Sequence, residues 1–169
     1  MKTFVTSDLH FGHGNIIQYE HRPFRDVDHM DRSLIKNWNQ VVSKYDRVFV
    51  LGDVGFYPMD KLSDYVHLLN GRKTLIMGNH DRGRNVRRWM ECGFDEVSKY
   101  PIILDNSIVL SHEPPEYFND GTPFFWMYGH VHGTEMYQTV TANSACVCVE
   151  RWGYAPVEMQ KIFDIAKLK

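Results

Sequence analysis

Five short motifs carry the side chains that could hold a divalent cation: Asp8-Leu9-His10, Gly52-Asp53-Val54-Gly55, Gly78-Asn79-His80-Asp81, Ser111-His112-Glu113-Pro114 and Gly129-His130-Val131-His132-Gly133. Asp8 and His10 are two apart, so on extended backbone they share a face and reach one ion. Glycines on both sides of Asp53-Val54 let the chain turn sharply and leave the carboxylate at a strand tip. Asn79 offers an amide oxygen and His80 an imidazole at another tip. His112 lies just past an apolar run and before a double proline. His130 and His132 repeat the two-residue spacing between glycines, the most metal-specific pattern of the five. Singly, each motif has a plain alternative. A D-x-H triplet arises by chance, Gly-Asn-His-Asp can be a simple turn, and a lone histidine beside a strand is commonly structural. Together they supply four imidazoles, two carboxylates and one amide oxygen, too many for one tetrahedral ion and suited to two ions sharing a carboxylate. Imidazole-rich sets favour Mn, Fe, Co, Ni or Zn over Mg or Ca. A structural zinc site would be rich in sulfur, and Cys92, Cys146 and Cys148 stand away from these motifs.

Strand ends must bring the motifs together. Short apolar, β-branched runs at 3–6, 48–51 and 74–77 alternate with helix-period segments, which is an α/β order. In such sheets ligands gather beyond the carboxyl ends of the strands, where the first three motifs fall. The first helix is expected to start near Asp28 as N-cap and to bury Met30, Leu34, Trp38, Val41 and Tyr45. A second spans 59–69 and stops at Asn70-Gly71, and a third spans 85–92 and stops at Gly93. From Val97 onward the pattern turns to strands at 102–104, 107–111, 126–128 and 137–149, an antiparallel-looking half, before a final helix over 156–166. Segments 12–24 and 113–123 are long irregular pieces of the kind that carries function.

The 169 residues fit one domain spanning 1–169, with no linker, repeat or low-complexity segment to divide them. At 43% hydrophobic and 24% charged the composition is that of an ordinary globular protein, and no apolar run is long enough for a membrane span. The first residues form no charged-then-apolar leader. Three cysteines leave one over after any pairing, so the expectation is a cytoplasmic protein with reduced thiols. A formal charge of -2 with interspersed signs argues against a broad basic face for duplex DNA and makes nucleic acid a disfavoured partner. Arg82, Arg84, Arg87 and Arg88 form one basic run, readable as a solvated helix face or as a phosphate-steering rim.

Taken in order, Asp8-x-His10, Gly52-Asp53, Gly78-Asn79-His80-Asp81, His112 and Gly129-His130-x-His132 resemble the calcineurin-like metallophosphoesterases, over residues 1–133. The phrase Ser7-Asp8-Leu9-His10-Phe11-Gly12-His13-Gly14-Asn15-Ile16 is similar to a small, single-domain bacterial and phage branch of that family. The resemblance implies a two-sheet α/β sandwich with flanking helices and the site across the sheet ends. Residue by residue, it implies that Asp8, His10 and His132 hold one ion, that Asn79, His112 and His130 hold the other, and that Asp53 bridges them. His80 would face the phosphate or the leaving group without binding metal. The second motif lacks the Asp-Arg pair of the protein phosphatase branch, so protein phosphatase activity is not expected.

The cofactors expected are two divalent transition-metal ions, Mn foremost, with Fe, Zn, Ni or Co as alternatives. Such a pair lowers the pKa of a shared water, so that hydroxide attacks phosphorus in line. Asp53 and Asn79 serve that step, and His80, if protonated, gives a proton to the departing alkoxide. His13, Asn15 and Arg82 are the expected substrate contacts. Phe56-Tyr57 and Phe124-Phe125-Trp126 are either packing residues or stacking faces for a nucleobase. His21, His29 and His67 have no motif around them and are expected at the surface, while the role of Asp81 is open. The expected reaction is hydrolysis of small phosphodiesters. A phosphomonoesterase or a nuclease on the same site is the alternative, and a metal-binding scaffold without catalysis is the reading from another class. Neither the native substrate nor the oligomeric state has a signature in the chain.

Overall fold

The computed structural model describes residues 1–116 and 123–167, so residues 117–122 of the expected 113–123 loop lie outside the described residues. In chain order the elements are β1 (Thr3–Thr6), α1 (Ile16–Tyr19), α2 (Val27–Val41), β2 (Arg47–Val50), α3 (Met59–Leu68), β3 (Arg72–Ile76), α4 (Val86–Glu91), β4 (Glu96–Ser98), β5 (Ile102–Leu104), β6 (Ile108–Ser111), β7 (Phe125–Tyr128), β8 (Ser144–Cys146), a 3-10 turn (Val149–Trp152), β9 (Val157–Glu158) and α5 (Met159–Ala166). They build two mixed sheets with flanking helices. The first has the order β4-β3-β2-β1-β9, with β1 to β4 parallel and β9 antiparallel to β1. The second has the order β5-β6-β7-β8.

The central strands β1, β2 and β3 of the first sheet are buried along most of their length because both faces are covered. Val5, Phe49, Leu51 and Ile76 pack on Leu110, Phe125, Met127 and Ala145 of the second sheet, and Met159 and Ile162 of α5 join this inter-sheet core. Their neighbours Phe4, Val48, Val50 and Leu75 point the other way, onto Met30, Leu34 and Trp38 of α2, Leu62 and Val66 of α3 and Trp89 of α4. Period-two alternation along each strand thus feeds two cores.

Several sequence expectations need correction. Asp26, not Asp28, caps α2, its side chain accepting from the His29 amide at 2.8 Å. Asp28 lies in the first turn, where its charge suits the helix dipole. The buried stripe ends Trp38, Val42, while Val41 and Tyr45 are exposed, because the helix stops at Val41 and the extended residue after it turns inward. Within the second sheet β5 and β6 pair antiparallel, while β6, β7 and β8 run parallel. The β5–β6 hairpin advertises itself through Asp105-Asn106, both in the left-handed region. Crossover connections leave no comparable local mark. The expected strand at 137–149 contracts to Ser144–Cys146, and Val157 opens a two-residue strand before the last helix. The 12–24 segment contains the short helix α1. Cys146 and Cys148 face each other, Sγ to Sγ 3.4 Å, and with Cys92 they are free and buried. His21, His29 and His67 are exposed.

One buried acid ties α2 to the segment after β1. Asp31 is fully buried, and its Oδ1 accepts from the Gly12 amide at 3.3 Å while its Oδ2 has no hydrogen-bond partner. Burial pushes its carboxyl up to about 6. A carboxyl raised on folding is a cost to stability that is absent below the unfolded value and complete above the folded one. Relative to Asp31→Asn, the wild type should therefore lose stability as the pH rises from about 4 to about 6.5, by up to about 3 kcal/mol. Urea denaturation of both proteins across that range measures the difference; parallel curves would refute it.

Candidate metal centre

The five motifs lie just past the carboxyl ends of β1, β2, β3, β6 and β7, three from one sheet and two from the other. Asp8 Oδ1 is 3.7 Å from His10 Nε2 and 3.6 Å from His132 Nε2. Asp53 faces both halves of the cluster: its Oδ2 is 3.6 Å from His10 Nε2, and its Oδ1 is 3.6 Å from His112 Nε2. Beyond it, Asn79 Oδ1 is 2.8 Å from His112 Nε2 and 3.1 Å from His130 Nδ1. Two triads result, Asp8–His10–His132 and Asp53–His112–His130, each with donor atoms within 4.8 Å of one another. Asp8 Oδ1 and His10 Nε2 are buried without a hydrogen-bond partner. Buried polar atoms are rarely left so, and their convergence with mixed imidazole and carboxylate donors fits a divalent transition-metal ion.

A surrounding layer sets which atoms face inward. His112 Nδ1 sits 2.7 Å from the Leu51 carbonyl, which can only accept, so Nδ1 is the donor and the ring is turned with Nε2 toward the cluster. His132 Nδ1 sits 3.0 Å from Glu150 Oε1. Glu150 in turn accepts from Arg22 Nε at 2.9 Å and Nη2 at 2.6 Å, and the buried Arg22 also donates to the Leu9 and Asp8 carbonyls at 3.0 and 2.8 Å. Asp8 Oδ2 accepts from the Ser7 hydroxyl and, at 2.9 Å, from the His130 amide. Burial alone would raise the Asp8 carboxyl, yet His10, His132 and His112 hold it far below the usual range. Burial would likewise lower His132, but Glu150 and Asp8 raise it to about 9. Asp81, whose role the sequence left open, accepts from the amides of Asp53 at 2.7 Å, Gly78 at 2.9 Å and Val54 at 3.1 Å, locking the two loops together.

The backbone is bent to aim these groups. Asp8 (φ 60°), His10 (54°), Asp53 (54°), His130 (71°) and His132 (46°) are all left-handed. For residues other than glycine that conformation costs on the order of 1–3 kcal/mol each, and it clusters at functional sites. Two glycines of the motifs also serve close approach. A Cβ on Gly52 would strike the Gly78 backbone and His112, and one on Gly129 would strike Ser7 and Asp8.

Of the remaining expected residues, His80 is half-exposed at the mouth. Its amide donates to Asp53 Oδ1 at 3.1 Å and its Nε2 lies 3.9 Å from Oδ2. His13 joins the cluster, Nδ1 3.2 Å from His10 Nδ1. Asn15 stays exposed before α1 and makes no side-chain cap bond. Arg82 pairs with Glu113 at 3.2 Å, beside His112, with both side chains about half-exposed. The basic run does not form one track: Arg84 donates to the Tyr57 carbonyl at 3.0 Å and Arg87 pairs with Glu91 at 2.8 Å. Sequence reading missed Arg22 and Glu150. The one available signal was an acid closing the apolar run that ends at Val149.

The fold and cluster together define a metal-dependent phosphoesterase, and comparison agrees. The family model for calcineurin-like phosphoesterases matches residues 1–152, and the chain belongs to that family. It is similar to the uncharacterized protein MJ1445 of Methanocaldococcus jannaschii, 34% identical over 97% of this chain and 90% of that one. It is also similar to the Gene 66 protein of Mycobacterium phage L5, 29% identical over 96% of this chain and 93% of that one. The fold matches the crystal structure of AQ665 from Aquifex aeolicus, a protein of unknown function, with a TM-score of 0.73, 24% identity and coverage of 97% and 98% of the two chains. Among the described residues no helix is long and apolar enough to cross a membrane.

Carboxylates that orient ligand histidines tune cation affinity by roughly 10- to 100-fold. Glu150→Gln should therefore weaken Mn²⁺ or Zn²⁺ binding by about that factor, read by calorimetric titration of metal-stripped protein. Unchanged affinity would mean that Glu150 only partners Arg22.

Proposed function

We propose that the protein is a cytoplasmic, dinuclear divalent-cation-dependent phosphodiesterase acting on small phosphate diesters, with Mn²⁺ the most effective ion. The observation that carries the reading is the convergence of two buried, unpartnered donor atoms, Asp8 Oδ1 and His10 Nε2, near an Asp53 carboxylate whose two oxygens lie toward different triads. Asp8, His10 and His132 would hold one ion, Asn79, His112 and His130 the other, and Asp53 both. Bound there, a cation pair supplies Lewis acidity and a water of lowered pKa.

The chain's own groups do the rest. Glu150 and the Leu51 carbonyl engage Nδ1 of His132 and His112 and so aim the Nε2 atoms of both rings inward. Arg82, held at the rim by Glu113, offers its guanidinium to a phosphate oxygen, and His13 stands beside His10. His80, its side chain 46% exposed beside Asp53, is the acid for the departing alkoxide. Its exposure, with that of Asn79 and His130, favours a diester, because the second ester arm can lie across an open mouth. Free, buried thiols at Cys92, Cys146 and Cys148 suit a reducing compartment.

Metal-stripped protein given Mn²⁺ should cleave bis-p-nitrophenyl phosphate faster than p-nitrophenyl phosphate. The reverse order would make the protein a phosphomonoesterase, and two bound ions without turnover would make it a scaffold. Asp53→Ala should lose both ions and activity together, by metal analysis and rate; two ions retained at full rate would remove its bridging role. His80→Ala should keep its metal and lose turnover by 10²- to 10⁴-fold for alkyl leaving groups, with a smaller loss for nitrophenolate. Equal losses would end its role as acid.

A further inference from the structure

Two aromatic stretches compete for a role beside the site, and the structure separates them. Phe125 is buried in the inter-sheet core, and Trp126 packs against Tyr128 and Cys146. Tyr57 is also a packing residue: its ring fills the space where Gly12 lacks a Cβ, stands 5.4 Å from the Tyr65 ring and lies 3.6 Å beneath Lys61 Nζ. Phe56 differs. It is 40% exposed, and its ring faces the cluster with centroids 4.2 Å from His13, 4.9 Å from His80 and 5.5 Å from His10, nearly parallel to the last at 17°.

The backbone holds that ring in place. The Phe56 amide donates to the Phe11 carbonyl at 2.8 Å, Gly55 pairs with Phe11 in a parallel bridge, and a Cβ on Gly55 would strike that same carbonyl and Leu62. An exposed phenyl fixed so firmly at the edge of a histidine-rich cleft gains nothing from water. A planar, apolar face laid against it would bury it. The histidines it borders belong to the site proposed for the phosphate, so a ring reaching Phe56 has to come from the same molecule as that phosphate.

We propose that Phe56, flanked by His13, is the stacking wall for a nucleobase, and that the substrates are therefore nucleotide esters rather than alkyl or sugar phosphates. The assignment rests on the phosphoesterase reading of the cluster for the position of the phosphate. Stacking on an aromatic side chain is tolerant of base identity, so Phe56 selects for a base without selecting which one.

The test is a binding measurement on Mn²⁺-loaded protein, independent of turnover. Adenosine 5′-monophosphate and ribose 5-phosphate share the phosphate and the sugar and differ by the base. By calorimetric titration the wild type should bind the nucleotide about tenfold more tightly. Phe56→Leu should erase most of that advantage and Phe56→Trp should keep it, with circular dichroism reporting the fold of both. Equal affinities of the two ligands in the wild type, including no binding by either, or an advantage that survives in Phe56→Leu, would overturn the stacking wall. Hydrolysis of bis-p-nitrophenyl phosphate by the same preparation separates that result from failure of the phosphoesterase reading: turnover with equal ligand affinities condemns Phe56 alone.

Discussion

The carboxylate of Asp81 binds the loop after β2 to the loop after β3 from beneath. Its two oxygens take three backbone amides, those of Asp53, Val54 and Gly78, in a place where water cannot substitute. Unpaired, each of those buried amides would cost on the order of 1–3 kcal/mol. Burial disfavours the ionised acid, and the three donors oppose that effect. The position of Asp53, and hence its reach toward both triads, follows from this clamp. Glycine at 52 and 78 lets the two loops approach closely enough for one carboxylate to span them.

The other half of the site depends on a second buried device. Arg22 reaches out of the segment between α1 and α2 to two carbonyls of the β1 loop and to Glu150 at the far end of the chain. Removing one partner of such a pair would leave a charge stranded in the interior, a loss of about 3–5 kcal/mol. Left-handed backbone at Asp8, His10, Asp53, His130 and His132 adds strain to the same region. Strand tips and tight loops over-determined by Asp81, Arg22 and Glu150 are what hold it.

Ligand chemistry is local, so the five motifs could be read one by one, and the placement of three of them past strands β1 to β3 followed from apolar runs covered on both faces. The helix-period segments 59–69 and 85–92 were likewise legible to within a residue at each end, because Gly71 and Gly93 mark their stops. What escaped was non-local. The parallel course of β6, β7 and β8 depends on connections that leave no periodicity. The partnership of Arg22 with Glu150 joins residues 128 apart in sequence. Phe56 and Tyr57 are adjacent aromatics with no sequence cue to say which packs inward; contacts with Gly12, Lys61 and Tyr65, distant in sequence or on another element, decide it for Tyr57.

Asp8, His10, Asp53 and Asn79 project from one sheet and His112, His130 and His132 from the other. An ion gripped by both groups would be a removable rivet between two layers that also meet through the apolar inter-sheet core and through hydrogen bonds such as those from the His130 amide to Asp8 and from His112 to the Leu51 carbonyl. Ligands that favour the folded state raise its stability in proportion to the logarithm of their free concentration. Heat resistance would then track the free cation level of the solution, and a chelator would loosen the seam between the layers before it touched either sheet.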